Sequence, residues 1–301
     1  MRLRVLVSFH YHRDTDLDAL VSGLGGGVDL FADSGAYSAW STGAQIDVED
    51  YATWLHRWGH LIGTRANLDV IGDRAGTARN QEILTGHGLN VLPVFHLGEP
   101  FRVLESLCEA HDYVALGGLV PYLAGGKGNS NRSHLMAWMV KAHLIARKRG
   151  AVLHAFGCTG SLFLWNLPFY SADSSSYSSG TRFGKVYLWD ESAHLMRCID
   201  FRTNSEMRRH AGLFRRHGIS PGAICDPEFM NTSNDHYRVD RTELEKITLT
   251  AYRKMEQSLT KRHCVPAPGD AQDTGTKIYF ALTTASPADL EPLRRALQEE
   301  N

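Results

Sequence analysis

Three carboxylates in this sequence come straight after apolar residues: Asp33 after Phe31-Ala32, Asp69 after Leu68, and Asp173 behind the Phe169-Tyr170 approach. A carboxylate at the rim of an apolar pocket resists ionisation, and neighbouring carboxylates cannot all ionise cheaply, so their pKa values separate. Separation lets one act as nucleophile or base while another carries a proton. Reactions at an anomeric carbon use this arrangement, because a carboxylate can stabilise or trap an oxocarbenium-like centre. Gly117-Gly118 and Asp69 suit a flat heterocycle, which lies against glycine backbone while the carboxylate accepts its N–H groups. Tyr37, Phe95, Tyr122 and Phe156 are the aromatics available to stack on it. Residue types and spacing therefore point to glycosyl transfer or hydrolysis at a nucleoside. For Asp173, which opens the small-residue run Ser174-Ser175-Ser176, a plain turn or helix N-cap is the other reading.

The carboxylates recur because the chain alternates. Apolar runs at Val5–His10, Val28–Ala32, Ala66–Ile71, Val91–His96, Tyr113–Leu116 and Val152–Phe156 read as strands. Between them lie patterns of helical period: 47–61 with Tyr51, Trp54, Leu55, Trp58 and Leu61 on one face, 77–87, 100–110, and a long amphipathic 133–149. Such alternation implies parallel strands with helical crossovers, and roughly eight units in a ~250-residue run favour a (β/α)8 TIM-like barrel over an open doubly wound sheet. No G-x-G-x-x-G follows a strand and opens a helix, and Gly23-Leu24-Gly25-Gly26-Gly27 precedes a strand, the wrong place to cradle phosphate. In a barrel the residues just past the strand C-termini line one mouth. Here those are Asp33, Asp69 with Asp73, His96 with Glu99, Gly117-Gly118, Gly157 and Asp173.

The 301 residues form one domain on this reading, with no repeat or low-complexity tract. No apolar run approaches the ~18 residues of a membrane span, and the N-terminus reads as a strand and not a signal peptide, so a cytoplasmic location and no membrane partner are expected. Five scattered cysteines argue against a disulfide framework or structural zinc. His10-Tyr11-His12, at a strand end, would put two imidazoles on one face, the nearest approach to a metal site; no metal and no cofactor are expected. The net charge of −1 supplies no global field for nucleic acid, but basic residues cluster at 141–149, 202–216 and 254–262, as solvated helix faces or a local phosphate surface.

Several motifs, in one order, resemble the tRNA-guanine transglycosylase superfamily, barrel enzymes that exchange guanine for a 7-deazaguanine base. Asp33-Ser34-Gly35-Ala36-Tyr37-Ser38 resembles the family's D-S-G-G-F-Q. Leu68-Asp69 is similar to the segment with its base-recognising aspartate. Val94-Phe95-His96-Leu97-Gly98 and Tyr113-Val114-Ala115-Leu116-Gly117-Gly118-Leu119 resemble V-Q-G-G and G-Y-A-I-G-G-L, and Ala155-Phe156-Gly157-Cys158-Thr159 resembles M-G-V-G-T. Tyr170-Ser171-Ala172-Asp173, trailed by Thr181-Arg182-Phe183-Gly184, resembles the nucleophile segment. The likeness spans residues 28–184. Two departures stand out: the C-x-C-x-x-C…H zinc set of the tRNA enzymes is missing, and His96 replaces a Gln. In this the chain is most similar to the phage and bacterial branch that acts on DNA.

The resemblance implies that guanine in DNA is exchanged for a free base such as 7-cyano-7-deazaguanine, with the same exchange on tRNA, or a nucleosidase or glycoside hydrolase barrel, as alternatives. Asp173 would attack C1′ and form a covalent glycosyl-enzyme. Asp33 would protonate the leaving guanine and deprotonate the incoming base. Asp69 would accept from the heterocycle, with Ser34, Gly35 and Gly117 in the base site, Gly118 and Leu119 offering backbone to the 7-substituent, and His96 contacting the carbonyl edge. Arg182 would neutralise a phosphate. The target base must leave the stack to reach such a pocket.

After residue 184 the sequence predicts a hairpin (185–189 and 194–199), a basic helix over 202–217, a helix over 242–262 and a closing β-α piece near 277–300. Three roles are open to that piece: completing the barrel, covering its end, or pairing two copies as a homodimer.

Overall fold

The computed structural model describes residues 2–124, 128–181, 184–200, 204–219, 241–269 and 274–298. Eight strands form one parallel sheet: β1 (Leu3–Ser8), β2 (Val28–Asp33), β3 (Ile62–Arg65), β4 (Val94–His96), β5 (Tyr113–Gly117), β6 (Val152–Ala155), β7 (Ser171–Ser174) and, late in the chain, Lys277–Leu282. Two further strands, β8 (Lys185–Asp190) and β9 (Leu195–Asp200), pair antiparallel as the expected hairpin, so the late strand is β10. The order across the sheet is β3-β2-β1-β10-β7-β6-β5-β4. The C-terminal strand is thus threaded between the first and seventh and completes the sheet.

The sheet curls until its edges meet at one point. A single parallel bridge joins Ala66 to Leu92; the Leu92 N–H donates to Arg65 O at 2.7 Å and the Asn67 N–H to Leu92 O at 3.0 Å. Among the described residues no strand ladder runs between β3 and β4, so the sheet is a curled, barrel-like surface without full closure by strand pairing.

Alternation along the strands builds two apolar layers. Leu3, Val5 and Val7 of β1, Leu30 and Ala32 of β2, Val114 and Leu116 of β5, and Ile278, Phe280 and Leu282 of β10 join one large core with residues from the helices. Their alternates, Leu6, Phe31, Val94, Ala115 and Tyr279, meet as a second cluster on the concave face. Burying each large side chain contributes about 1.5–3 kcal/mol.

Among the helices, α1 (Phe9–His12), α2 (Leu17–Gly23), α3 (Ala36–Thr42), α4 (Val48–Arg57), α5 (Arg74–Gly86), α6 (Phe101–Ala110), α7 (Val120–Ala124), α8 (Gly128–Arg149), α9 (Ser161–Asn166) and α10 (Ser176–Ser179) lie between the sheet strands and ahead of the hairpin. Asp47 caps α4 by accepting from the Glu49 and Asp50 amides, and Tyr51, Trp54 and Leu55 are buried as the period required. Beyond the hairpin come α11 (Asn204–Arg209), α12 (Ala211–Arg216), α13 (Arg241–His263) and α14 (Pro287–Gln298). Val186, Leu188, Ile199, Met207, Leu213, Phe214 and Leu244 make a small separate core beside the hairpin.

Several expectations are corrected. The third strand is not 66–71 but Ile62–Arg65. Past Ala66 the backbone is taken by α5 instead of a strand: the Asn80 amide donates to Leu68 O, and Val70 N–H donates to Thr77 Oγ1. β4 begins at Val94 and not Val91, because Pro93 has no N–H for a ladder. His10-Tyr11-His12 is helical, and His12 is buried with Nε2 3.1 Å from Leu282 O, so the two imidazoles share no strand face. The single basic helix of 202–217 is broken, with His210 (φ −100°, ψ 8°) outside the helical region between α11 and α12.

Candidate active-site pocket

All three sequence-selected carboxylates line one cavity of about 810 Å³ at the C-terminal ends of the strands. That volume lies within the range of pockets that enclose a small organic ligand. Gly117, Gly118, Leu119, His96, Phe156 and Gly157 share its wall, with Tyr37, Trp40 and Arg74 among its lining residues.

Asp33 ends β2 and builds its own turn. Its Oδ2 accepts from the Gly35 N–H at 3.0 Å, and Ser34 Oγ accepts from Ala36 N–H at 3.3 Å. Gly35 has φ +78°, and a Cβ there would lie 2.5 Å from His10 Cβ, so only glycine fits. Ser34 is buried, and neither Ser34 nor Gly35 is among the residues lining the cavity; both shape the turn that aims Asp33. Burial, then the nearby charges of Asp173 and Asp69, push the Asp33 carboxyl up to about 7, against the pull of the Gly35 and Ser34 amides. Near neutral pH it therefore exists in both protonation states, the condition a general acid/base needs.

Asp69 and His96 form a pair. His96 Nε2 lies 3.1 Å from Asp69 Oδ2, both side chains being largely buried. Burial lowers the imidazole, but the bond to Asp69 and the charges of Asp69 and Glu99 outweigh it, and its pKa is raised. Glu99 Oε2 accepts from the His96 amide at 3.0 Å, which fixes the loop after β4. Asp69 Oδ1 is buried and takes no hydrogen-bond partner among the described residues. A carboxylate with one oxygen anchored and the other unsatisfied is an acceptor waiting for a donor. His96 thus bonds to Asp69, where the sequence suggested a contact with a substrate carbonyl. Gly117 makes the pairing possible: a Cβ there would stand 2.8 Å from His96 Cδ2. Leu119 is buried and lines the cavity.

Asp173 lies within β7, not in a loop beyond a strand, which removes the turn and N-cap reading. Tyr279 of β10 is its register partner. The hydroxyl-rich sequence hides the strand; it forms because Tyr170 N–H donates to Leu153 O and Lys277 N–H to Tyr170 O, seating the segment between β6 and β10. Asp173 Oδ1 accepts from the Gly157 N–H at 2.9 Å. Gly157 has φ +64°, and a Cβ there would come within 2.5 Å of Val120 Cγ2.

Two neighbours escaped sequence reasoning. His154, fully buried, sits beneath Asp173 with Nε2 3.3 Å from its Oδ1. Alternation along Val152-His154-Phe156 was the signal that could have found it, since Phe156 was already assigned to the cavity. Arg74, exposed at the first turn of α5, lines the mouth and had no signature beyond its charge. Of the proposed stacking aromatics, Tyr37 and Phe156 line the cavity, whereas Phe95 points outward and stacks on Trp138 with ring centroids 5.4 Å apart. Tyr122 is exposed and is not among the lining residues. Arg182 lies outside the described residues. Some of the clustered basic residues are engaged elsewhere: Arg149 pairs with Glu109, Arg216 with Asp190, and Arg262 lies over the Trp165 ring.

Among the described residues no three His, Cys, Asp or Glu side chains gather as metal ligands, and no helix is long and apolar enough to cross a membrane. In comparisons with known proteins, no family model matches the chain and no curated protein matches it.

Proposed function

We propose that this chain is a guanine transglycosylase with a (β/α)8-type barrel, which replaces guanine in DNA by a free 7-deazaguanine base such as 7-cyano-7-deazaguanine. The observation that carries the reading is the contrast between two carboxylates in one cavity. Asp33 is pushed up to about 7, while Asp173 has one oxygen tied to a backbone amide.

In the first half-reaction an Asp173 oxygen attacks C1′, the bond from C1′ to guanine breaks, and the electron pair leaves with the base. Asp33, protonated, delivers its proton to that base and becomes a carboxylate. In the second half the incoming base gives its N–H proton to Asp33, its nitrogen attacks C1′, and the ester bond to Asp173 breaks. Asp33 ends protonated and Asp173 ionised, so the cycle closes. Asp69 Oδ1 accepts ring N–H groups of either base, and Arg74 meets a phosphate at the mouth.

The test is base exchange with purified protein, guanine-labelled duplex DNA or tRNA, and a free 7-deazaguanine. Label loss from DNA that requires the acceptor base is expected. Asp173→Asn should lower exchange by at least on the order of a thousandfold and trap no adduct; wild-type turnover by this variant would overturn the nucleophile assignment. Exchange on tRNA alone would move the activity to that polymer, and release of guanine in buffer without acceptor would make the protein a hydrolase.

A further inference from the structure

Beneath Asp173 lies a buried polar chain that the proposed reaction does not itself require. The Tyr113 hydroxyl of β5 is hydrogen-bonded to Ser171 Oγ of β7. Ser171 Oγ is 2.6 Å from His154 Nδ1, and His154 Nε2 is 3.3 Å from Asp173 Oδ1. The imidazole is wedged against the rings of Phe31 and Phe156, at centroid distances of 4.8 and 4.4 Å. It is fully buried, and a polar ring in that setting must be satisfied by its neighbours.

One assignment of protons gives every member of the chain a partner. Either hydroxyl of the Tyr113–Ser171 pair can donate; burial above all keeps the Tyr113 phenol protonated, and in this assignment it donates to Ser171 Oγ. The Ser171 hydroxyl then has its own proton free to give to His154 Nδ1. With Nδ1 accepting, the imidazole proton sits on Nε2, the nitrogen that faces Asp173. His154 Nε2 makes no hydrogen bond in the resting geometry; at 3.3 Å from Oδ1, a small rotation of the carboxylate would complete one. Oδ1 is then held from two sides, by the Gly157 amide at 2.9 Å and by His154. The other oxygen, Oδ2, has no protein donor among the described residues, and Asp173 lines the cavity.

We propose that His154, locked as the Nε2–H tautomer by Ser171 and Tyr113, is a positioning residue that anchors Oδ1 of Asp173 and leaves Oδ2 as the attacking atom. This rests on the transglycosylase reading of the same pocket. When the ester breaks, the returning charge on Asp173 meets a donor already in place, so both half-reactions gain from one side chain that never touches the substrate.

The test compares wild type with His154→Phe, His154→Gln and Ser171→Ala, each first shown to unfold cooperatively. H154F removes the donor, H154Q restores an amide N–H near the Nε2 position, and S171A removes the lock while leaving the ring. In single-turnover base exchange H154F should slow glycosyl-enzyme formation roughly ten- to hundredfold with KM changed less than about twofold. H154Q should recover most of that loss, and S171A should fall between. Equal loss in H154F and H154Q, no loss in H154F, or loss confined to KM would overturn the proposal.

A readout free of substrate separates this inference from the functional one. Nitrogen-15 NMR of the resting protein should show His154 with Nε2 protonated and Nδ1 bare in wild type, and that tautomer should be lost in S171A. If wild type exchanges no base, the functional reading fails and the tautomer decides alone: Nε2–H on His154 supports the anchor, and Nδ1–H in wild type overturns it.

Discussion

Asp33→Asn should stabilise the protein while removing its proposed acid/base group, and only above a defined pH. Burial and the charges of Asp173 and Asp69 move the Asp33 carboxyl from 3.8 to about 7. In the unfolded chain the group ionises near 3.9. Between those values the folded state holds a proton that the unfolded state has lost, so stability falls as pH rises through this window. Above about pH 7 the folded state must carry the unwelcome charge, a cost of about 4 kcal/mol for the full displacement. Asp33 is half-buried, and water at the rim screens part of that, so about 2–4 kcal/mol is expected. Asn is the neutral isostere and keeps an oxygen for the Gly35 amide. Urea unfolding of both proteins from pH 4 to 9 checks the argument. The variant should match wild type near pH 4, gain progressively to about pH 7, and hold a constant advantage beyond, worth roughly 3–6 °C in Tm. A gain already complete at pH 4, or none at pH 8, would refute the burial-and-repulsion account of Asp33.

Two further substitutions probe the frame around the pocket. Gly117→Ala places a methyl 2.8 Å from His96 Cδ2 and 2.9 Å from Val94 Cγ1; it should cost about 1–3 kcal/mol by overpacking. The same change should push the His96 ring off Asp69, visible as a shift of the Nε2 resonance in nitrogen-15 NMR. At the opposite end of the sheet, Arg4 Nη1 and Glu256 Oε1 are 2.5 Å apart and buried. Glu256→Ala should lose about 3 kcal/mol in urea unfolding, since Asp29 at 3.6 Å replaces only part of the pairing of Arg4 and the buried Ile278 N–H loses its acceptor; Glu256→Gln, which keeps an oxygen for that N–H, should lose less.

What the sequence made legible depended on whether a residue's neighbours in the chain determine its state. The helix at 48–57 was readable because Asp47 caps it and its apolar period survives into the packing. The carboxylates of β2 and β7 were readable as pocket residues because each trails apolar residues that the sheet buries. The segment after Ala66 was misread as strand because its backbone is satisfied by Asn80 and Thr77, side chains ten or more residues away or across a turn. The strand status of Asp173 was obscured by serines of poor strand propensity, which the two flanking strands override. His96 was assigned to the substrate because nothing local announces that Asp69 stands within 3.1 Å of it.

The inward positions of the sheet explain why the carboxylates are perturbed at all. Strand alternation points Arg4, Leu6 and Ser8 of β1, and Asp29, Phe31 and Asp33 of β2, toward the concave side in register. At the N-terminal end the charges are matched, Arg4 with Glu256 and Asp29, and Tyr279 donates to Asp29 at 3.0 Å. The middle is the apolar belt of Leu6, Phe31, Val94 and Ala115. At the C-terminal end Asp33, Asp69 and Asp173 meet, with His96 bonded to Asp69 and the buried His154 facing Asp173. The belt keeps the cation of one end from neutralising the anions of the other, and His96 is committed to Asp69. Asp33 is left to take up a proton, which is the state a departing base would draw on.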